Sequence, residues 1–346
     1  MRAAILTAQR EPLTLDEVEP QAELRFGQVR VRVHYSGICG SQIGEIDGVK
    51  GPDRWLPHLL GHEGSGTVLD TGDGVTTVAP GDQVVLHWMR GAGVEAPTPS
   101  YSWGGDTLNA GWVTTFNEEA VVSENRVTRL PEGVELEVAP LLGCAVTTGA
   151  GVVTHDAGLR VGESIVILGA GGVGLSAVQA AALGGAQPIV AVDLFEPKLE
   201  LARRLGATHA FTGSDPEMAS AVRDALGPGG ADVVVENTGN PRMIELACDL
   251  TGPQGRTILV GVPPADDLPR IPTLPLHFGK VLRGSFGGGC RPERDIPRYA
   301  ALYRAGKLDL KALITDRYEF DELNQAIDDL RAGRVAGRAV IAVAPE

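Results

Sequence analysis

Residues 164–193 constrain the fold of this chain more than any other stretch. The apolar run 164–168 (SIVIL) leads into a glycine-rich segment, 169–174 (GAGGVG). An alanine-rich run follows, and a second apolar run, 188–193, ends at Asp193. Short apolar runs are typical of buried strands, and the alanine-rich run is typical of a helix. The order of strand, glycine turn, helix, strand and acidic residue predicts a βαβ unit within a parallel sheet.

Each glycine of this turn has a separate role. Gly169 permits the tight turn, Gly171 lets the backbone approach a pyrophosphate, and Gly174 lets the helix pack closely on the sheet. Gly172 and Val173 complete the segment at the start of the helix, where unpaired N–H groups favour an anion. A glycine-rich turn of some other α/β protein is the alternative. The two apolar strands around the turn favour a dinucleotide site instead.

Asp193 indicates which dinucleotide would bind. It follows the glycine turn by about 20 residues, the spacing expected of a carboxylate that binds a ribose. The same carboxylate would repel a 2′-phosphate, and Leu194 and Phe195 after it provide no arginine to hold one. The sequence therefore favours NAD over NADP.

Composition and charge narrow the possible partners. Of 346 residues, 43% are hydrophobic and 21% charged, which fits a globular chain with room for two domains. The net charge of −14, without a run of Lys or Arg, argues against nucleic acid and anionic membranes. No signal-peptide pattern is evident, and Gly184, Gly185 and Pro188 break the uncharged span 164–192. We therefore expect a cytoplasmic protein without a membrane segment.

Two kinds of pattern divide the chain. Up to about residue 137, short strands between turn residues predict a compact, barrel-like β domain. Between 145 and 285, apolar runs alternate with helical patterns, which predicts a doubly wound parallel sheet. The last part, 286–346, returns to helices and one strand. The predicted strands are 29–33, 64–69, 83–86, 119–122, 232–236, 257–260 and 338–343, and the predicted helices are 196–205, 243–250, 295–305 and 320–332.

Residues 90–111 show no period and are rich in Gly, Pro, Ser and aromatic residues. Loops of this length are usually functional or mobile, so we expect one here. Trp103 and Trp112 are expected to anchor it by packing, with a role in substrate binding as the alternative.

Three residues could form a metal site. Cys39, His62 and Cys144 would supply two thiolates and one imidazole, and such a set with an open fourth position is typical of catalytic zinc. Each has a plainer alternative, since cysteine is often a small buried apolar residue. The chain has only four cysteines, far apart, so a disulfide framework is not expected.

At this point the residues resemble the zinc-dependent, medium-chain alcohol dehydrogenase family. The motifs G-x-C-G-S, G-H-E, G-D-x-V, L-x-G-C-x-x-x-T-G, G-x-G-G-V-G and a G-R-x-x-G-R ending occur in the order of that family. The resemblance covers nearly the whole chain. It implies an α/β plus β fold: a GroES-like catalytic domain formed by residues 1–144 and 286–346, around an inserted Rossmann NAD-binding domain, 145–285.

The resemblance also implies a role for individual residues. Cys39, His62 and Cys144 would hold one catalytic zinc, with Glu63 close behind it and Ser41 receiving the proton of the substrate. Trp88 would line the substrate pocket, although a core position is equally compatible with it. Of the implied NAD-binding residues, Thr148 and Val173 would shape the nicotinamide site, Asp193 and Lys198 would hold the adenosine ribose, and Arg338 would reach the pyrophosphate. Val260 is a further expected cofactor-binding residue.

The chain departs from the family at three places. The four cysteines of a structural zinc lobe are absent from 90–111, so we expect one zinc per chain and no structural zinc. Gln42 stands where a carboxylate usually orients the zinc-bound imidazole, and an amide oxygen would raise the basicity of the ring less. Gly44 stands where an outer relay histidine is common. His58, His87, Glu45 or a chain of waters remain as replacements.

Together these features predict an NAD-dependent zinc alcohol dehydrogenase. Hydride would pass reversibly between a zinc-bound alcohol or alkoxide and NAD, because zinc lowers the pKa of a bound alcohol. A polar alcohol is expected, such as a polyol, sugar, cyclitol or natural-product intermediate. S-(hydroxymethyl)glutathione or a simple primary alcohol is the alternative. A lyase or isomerase that keeps its NAD and a non-catalytic NAD-binding protein also remain, and the resemblance suggests a homodimer or homotetramer.

Overall fold

The computed structural model describes residues 1–344, which form two units. One, the split unit, consists of Met1–Cys144, Arg291–Gly306 and the chain from Leu310 onward. The other, the inserted unit, consists of Ala145–Cys290 and Lys307–Asp309. The second division thus lies after Cys290, whereas the sequence pattern places it after residue 285.

Along the chain, the secondary-structure elements belong first to the split unit, then to the inserted unit, and finally again to the split unit, apart from residues 307–309. The strands are β1 (Arg2–Leu6), β2 (Thr14–Glu17), β3 (Gln28–Gly37), β4 (His58–Leu59), β5 (Glu63–Thr71), β6 (Gln83–His87), β7 (Ser100–Trp103), β8 (Asp106–Asn109), β9 (Glu119–Ser123), β10 (Val127–Arg129), β11 (Ile165–Leu168), β12 (Ile189–Asp193), β13 (His209–Thr212), β14 (Ala231–Glu236), β15 (Thr251–Leu259), β16 (Val281–Gly284), β17 (Ile314–Glu319) and β18 (Arg338–Ala342). The α-helices are α1 (Gly40–Ile46), α2 (Pro140–Gly143), α3 (Ala145–Gly151), α4 (Gly172–Leu183), α5 (Glu196–Arg204), α6 (Met218–Leu226), α7 (Pro241–Leu250), α8 (Pro292–Arg304) and α9 (Leu323–Arg331).

The split unit is built on two sheets. One has the order β2-β1-β4-β8-β7, and the other has the order β10-β6-β5-β3-β18-β17, with β9 also paired to β3. Strand β3 shows why these residues form a sheet with one buried face. Val29, Val31 and Val33 are fully buried, while Arg30 and Arg32 between them are partly or fully exposed, as a period of two requires. The buried valines join the main core of the unit.

The expectation of a structureless loop over 90–111 is wrong in part. Residues 100–109 form an antiparallel hairpin, β7 and β8, and β8 pairs with β4 through His58 and Asn109. Trp103 anchors the hairpin, as expected, because its Nε1 donates to Asp16 Oδ2 at 2.9 Å and its ring packs on a small core cluster. The hairpin therefore extends a sheet.

The inserted unit contains a six-stranded sheet in the order β13-β12-β11-β14-β15-β16, and every pairing in it is parallel. The order reverses at β11, as in a doubly wound dinucleotide-binding fold. Gly174 in the first turn of α4 is required by close packing. A Cβ atom at this position would lie 1.9 Å from the carbonyl oxygen of Gly169. The βαβ unit predicted over 164–193 is β11, α4 and β12.

The other predicted elements are present with shifts of a few residues at their ends. The predicted helix 196–205 is α5, and the predicted strand 338–343 is β18. Within residues 1–344, no helix combines the length and the apolarity that crossing a bilayer would need.

Candidate active site

Three different elements bring the predicted metal ligands together in the split unit. Cys39 is the N-cap of α1, His62 immediately precedes β5, and Cys144 follows the last residue of α2. The ligand atoms of all three lie within 4.8 Å of one another. Gly61 makes this approach possible. Its φ is +95°, and a Cβ atom there would lie 2.3 Å from Thr115 Oγ1.

The chemistry of this cluster fits a metal ion. A hydrogen bond from Cys144, with further contributions from His62 and Arg338, holds the pKa of the Cys39 thiol well below its usual range although burial opposes the shift. The Nε2 atom of His62 is buried but makes no hydrogen bond of normal geometry with any described residue. A thiol ready to ionise and an unsatisfied imidazole nitrogen are what Zn²⁺ requires of its ligands.

Glu63 and Arg338 form a buried ion pair next to this cluster. Glu63 is fully buried and Arg338 is 5% exposed. Their side chains are in direct contact, and the charge of Arg338 also stabilises the Cys39 thiolate. The resemblance places Arg338 at a pyrophosphate. The structure gives its guanidinium a partner within the split unit, so the contact with pyrophosphate stays a prediction.

Ser41 and Gln42 lie in the first turn of α1, and each contacts a predicted ligand or its neighbour. The Ser41 hydroxyl is exposed and donates to Cys39 Sγ at 3.3 Å. The Gln42 side chain is buried. In the amide orientation that satisfies its hydrogen bonds, its oxygen accepts from the backbone N–H of Gly61 at 2.6 Å and of His62 at 3.3 Å. Gln42 thus supports the main chain of the predicted ligand His62, whereas the sequence suggested support of its imidazole ring.

A pocket of about 550 Å³ in the split unit is lined by His62 on one side. Trp55, Trp88 and Trp112 also line it, together with polar residues of the hairpin region. Trp88 is half-buried against the main core and also lines the pocket, so its role in substrate binding stays a prediction. Trp112 is 57% exposed and also lines the pocket, so a role in substrate binding stays a prediction for it as well.

Two of these rings are in cation–π contact with arginines. The guanidinium of Arg54 stacks on Trp55, and that of Arg126 stacks on Trp112, each with its carbon 4.9 Å from the ring centroid. The arginines themselves are not among the residues that line the pocket. The rings therefore present fixed apolar surfaces to whatever the pocket holds.

Glu45, Asp53 and His58 form a second cluster at the same pocket, with potential ligand atoms within 4.8 Å of one another. His58 Nε2 lies 2.8 Å from Asp53 Oδ2 and 3.9 Å from Glu45 Oε1. His58 Nδ1 lies 2.9 Å from the carbonyl oxygen of Leu59. Glu45 and His58 line the pocket.

His87 is placed differently from His58. Its Nδ1 lies 2.8 Å from Met89 O and its Nε2 lies 2.9 Å from Thr128 Oγ1. It is 1% exposed, and burial lowers its pKa to about 4. His87 is not among the lining residues of the pocket. Its position indicates a structural role.

The predicted NAD-binding glycines lie at the carboxyl end of β11 in the inserted unit. Gly169 has a φ of +93°, which supports the tight turn. A Cβ atom at Gly171 would meet no atom within 4 Å, so the backbone there borders open space. Gly172 and Val173 begin α4, whose unpaired N–H groups suit a pyrophosphate.

The other predicted NAD-binding residues of this unit have compatible surroundings. Asp193 is partly exposed at the end of β12, and its Oδ2 accepts from Ala170 N at 2.7 Å. The Lys198 ammonium lies 5.1 Å from the centre of the Phe195 ring. Thr148 is buried, and its hydroxyl makes no hydrogen bond within the described residues. Val260 is partly buried just after β15.

Comparison with known proteins identifies the family. The profile of the alcohol dehydrogenase GroES-like domain matches residues 25–132, and that of the zinc-binding dehydrogenases matches residues 172–304. An NDMA-dependent alcohol dehydrogenase of Amycolatopsis methanolica is 32% identical over 96% of both chains. The chain belongs to the zinc-dependent medium-chain alcohol dehydrogenase family.

Two further relatives of this dehydrogenase act on different alcohols by name. An S-(hydroxymethyl)glutathione dehydrogenase of Escherichia coli is 30% identical over 96% of this chain and 97% of its own. The crystal structure of benzyl alcohol dehydrogenase from Acinetobacter calcoaceticus has a TM-score of 0.89 at 29% identity, over 99% of both chains. The predicted fold, a GroES-like domain with a Rossmann domain, is confirmed, and the chain is an oxidoreductase. Zinc and NAD are supported as its cofactors by the family match and by the cysteine–histidine cluster.

Sequence reasoning missed Trp55 and Asp53 of this dehydrogenase. Both precede His58 by a few residues in a stretch without a clear period, and neither belongs to a family motif. One signal was available, namely a second histidine four residues before the ligand His62 with an acidic residue nearby. Such a pattern occurs in many surface loops, so it could only suggest a role.

Proposed function

We propose that this dehydrogenase transfers hydride reversibly between an alcohol and NAD, at one zinc ion held by Cys39, His62 and Cys144. The observation that carries the proposal is the meeting of two thiols and one imidazole within 4.8 Å, with His62 on the wall of a large pocket. A bound zinc would supply Lewis acidity to the substrate oxygen. A set of three protein ligands is typical of catalytic rather than structural zinc, so Cys39, His62 and Cys144 would hold an ion that can still take up a substrate.

The residues around the ligands would prepare the site for this chemistry. Ser41, beside Cys39, is placed to accept the hydroxyl proton of the substrate. Arg338 balances the negative charge of Glu63 and of the Cys39 thiolate. In the inserted unit, Gly171 leaves room for a pyrophosphate and Asp193 offers a carboxylate to a ribose.

The pocket favours a bulky alcohol that carries a ring and polar groups. Trp55, Trp88 and Trp112 offer broad apolar faces, and Glu45 and Asn109 offer hydrogen-bonding groups. A volume of about 550 Å³ is within the range of pockets that bind drug-sized ligands. We therefore propose a cyclitol, a sugar or a ring-bearing natural-product intermediate. A benzylic alcohol is the second candidate, which the likeness to benzyl alcohol dehydrogenase favours.

S-(hydroxymethyl)glutathione is less compatible with this pocket. Glutathione carries two carboxylates and one ammonium group, and so has a net negative charge. The described residues that line the pocket include Glu45 but no lysine or arginine. A negatively charged adduct would lack a cationic partner there, and burying an unpaired charge is unfavourable. The relationship to the E. coli enzyme therefore does not carry its substrate over to this chain.

The test is the appearance of NADH with purified, zinc-loaded protein. The panel includes cyclitols, sugars, linear polyols, benzylic and simple primary alcohols, and S-(hydroxymethyl)glutathione. We expect turnover with a ring-bearing alcohol, its loss in Cys39→Ser, and its retention in Cys248→Ser, a buried cysteine outside the site. Bound NAD without NADH release would support the lyase or isomerase alternative, and activity in Cys39→Ser would contradict the proposed site.

We also propose a homo-oligomer formed through the inserted unit. Strand β16 lies at the edge of the sheet and pairs only with β15 among the described strands. Shortly before it in the sequence, Leu274 and Phe278 are 68% and 70% exposed. An open strand edge beside exposed apolar side chains suits pairing with a second copy. Phe278→Asp should shift the protein to monomer in light scattering. The cytoplasmic location stays a prediction from the sequence.

A further inference from the structure

We propose that Glu45 carries the substrate proton between Ser41 and solvent, and that Asp53 and His58 position its carboxylate. This inference rests on the proposed alcohol dehydrogenase function. Oxidation of an alcohol by NAD releases one proton, which must leave the pocket. Among the described residues that line the pocket, only Glu45, His58 and the proposed ligand His62 carry a carboxyl or imidazole group that can both take up and release a proton.

Helix α1 connects Glu45 to the metal site. Ser41 and Glu45 lie one turn apart on this helix, and both are exposed. Residues four apart on a helix share a face, with about 5–6 Å between their Cβ atoms. The Ser41 hydroxyl lies 3.3 Å from Cys39 Sγ. A glutamate side chain or one water molecule can therefore span the distance from Ser41 to the Glu45 carboxylate.

The surroundings of His58 determine which group accepts the proton. The backbone N–H of Trp55 donates to Asp53 Oδ1 at 2.8 Å, and His58 Nε2 lies 2.8 Å from Oδ2. Burial opposes ionisation of Asp53, but these two contacts outweigh it and lower the pKa of the carboxyl. Asp53 is therefore a carboxylate, and His58 Nε2 must donate to it.

The other nitrogen of His58 also faces an acceptor. His58 Nδ1 lies 2.9 Å from the carbonyl oxygen of Leu59, which can only accept a hydrogen bond. Both ring nitrogens of His58 therefore face hydrogen-bond acceptors, Asp53 Oδ2 and the carbonyl oxygen of Leu59. Glu45 Oε1 lies beside this pair, 3.9 Å from Nε2, and its side chain is 45% exposed to water. It is the more exposed of the two carboxylates in the cluster.

The proton step then balances in both directions. During oxidation the O–H bond of the alcohol breaks, Ser41 receives that proton and passes its own hydroxyl proton to Glu45, directly or through a water. The hydride goes to NAD in the same turnover, and Glu45 releases the proton to solvent. During reduction of the carbonyl compound the same groups act in reverse. His58 is a positioning residue, because it acts by orienting Glu45.

Single substitutions distinguish this role from a structural one. Glu45→Gln should lower kcat by about 10²- to 10⁴-fold, the range for loss of a proton-transfer group. The solvent isotope effect on kcat should rise, because proton transfer becomes limiting. Glu45→Ala should regain activity with added formate. Glu23→Gln, an exposed glutamate of the same unit, is the matched control and should show none of these effects.

A measurement that does not depend on turnover tests the positioning pair. Nitrogen-15 NMR of the histidine-labelled enzyme at neutral pH should show protons on both ring nitrogens of His58 in wild type and in Glu45→Gln. Asp53→Asn should remove one proton from the His58 ring and lower kcat without loss of zinc. A His58 ring with one bare nitrogen in wild type would overturn the assignment.

Failure of this inference can be told apart from failure of the proposed function. Wild-type protein that makes no NADH with any alcohol overturns the dehydrogenase proposal itself. Active wild-type protein with Glu45→Gln within about threefold of it, an unchanged solvent isotope effect and no formate rescue would overturn only the role of Glu45. Stoichiometric binding of a second zinc that Glu45→Gln and His58→Gln abolish would also overturn it, because the cluster would then be a metal site.

Discussion

Replacing Gly174 by alanine is expected to damage both the fold of the inserted unit and its binding of NAD. The added Cβ would lie 1.9 Å from the carbonyl oxygen of Gly169 and 3.0 Å from its carbon. A carbon and an oxygen normally approach to about 3.3 Å, so α4 or the glycine turn must shift by roughly 1.4 Å. Overpacking of this kind destabilises a protein by about 1–3 kcal/mol.

Gly171→Ala is the matched control, because it should separate binding from stability. A Cβ at Gly171 meets nothing within 4 Å, and its φ of −76° suits alanine. A slightly poorer N-cap for α4 and the lower entropy of the unfolded chain should nearly cancel, so stability should change by less than about 0.5 kcal/mol. The methyl group would occupy the space where a pyrophosphate would lie. NAD affinity should therefore fall at least about tenfold.

The assay needs a signal from the inserted unit. All four tryptophans belong to the split unit, so their fluorescence follows that unit only. Hydrogen exchange of β11 and β12 amides would report the stability of the inserted unit, and calorimetry would report NAD binding. The reasoning is refuted if Gly174→Ala leaves both unchanged. It is also refuted if Gly171→Ala destabilises the unit as much as Gly174→Ala does.

Four further predictions test the split unit. Burial lowers the pKa of His87 from 6.5 to about 4. Between these pH values His87 stays neutral in the folded protein, while the unfolded chain takes up a proton. The free energy of unfolding should therefore fall by up to about 3 kcal/mol as the pH drops from 6.5 to about 4. His87→Gln should flatten this dependence in urea unfolding at several pH values. Arg338→Ala should lower the free energy of unfolding by about 3–5 kcal/mol, because it leaves the carboxylate of Glu63 buried without a partner. Removing both charges together should lower it less, which calorimetry can measure. Elemental analysis should find one zinc per chain, and two would contradict the expected lack of a structural site. Gln42→Asp should keep zinc but change the pH–rate profile, and an unchanged profile would argue against support of the ligands by Gln42.

The predictable parts of this dehydrogenase are those determined by local sequence. A few neighbouring residues are enough to predict the strand around Val31, the glycine turn before α4 and the position of Asp193. The metal ligands could be proposed because thiol and imidazole groups suit zinc wherever the fold brings them together. Because only Cys39 and Cys144 of the four cysteines lie in family motifs, these two could be proposed as ligands.

The parts that could not be predicted depend on contacts between distant residues. The hairpin in 90–111 forms because β8 pairs with β4 through Asn109 and His58. No hydrophobic period in the local sequence predicts that pairing. Arg338 meets Glu63 although 274 residues of chain lie between them in sequence. Propensity scales cannot detect such pairs, because the stabilisation arises only after the sheet has formed.

The same distinction explains why the chemistry of this pocket is easier to assign than its substrate. For the reacting end we propose Cys39, His62 and Cys144, whose ligand chemistry allows few alternatives. The binding end consists of tryptophan faces fixed by Arg54 and Arg126 and of a hairpin joined to His58. The lining carboxylate, Glu45, favours neutral substrates over anionic ones. A neutral, ring-bearing alcohol is therefore the substrate class that we propose.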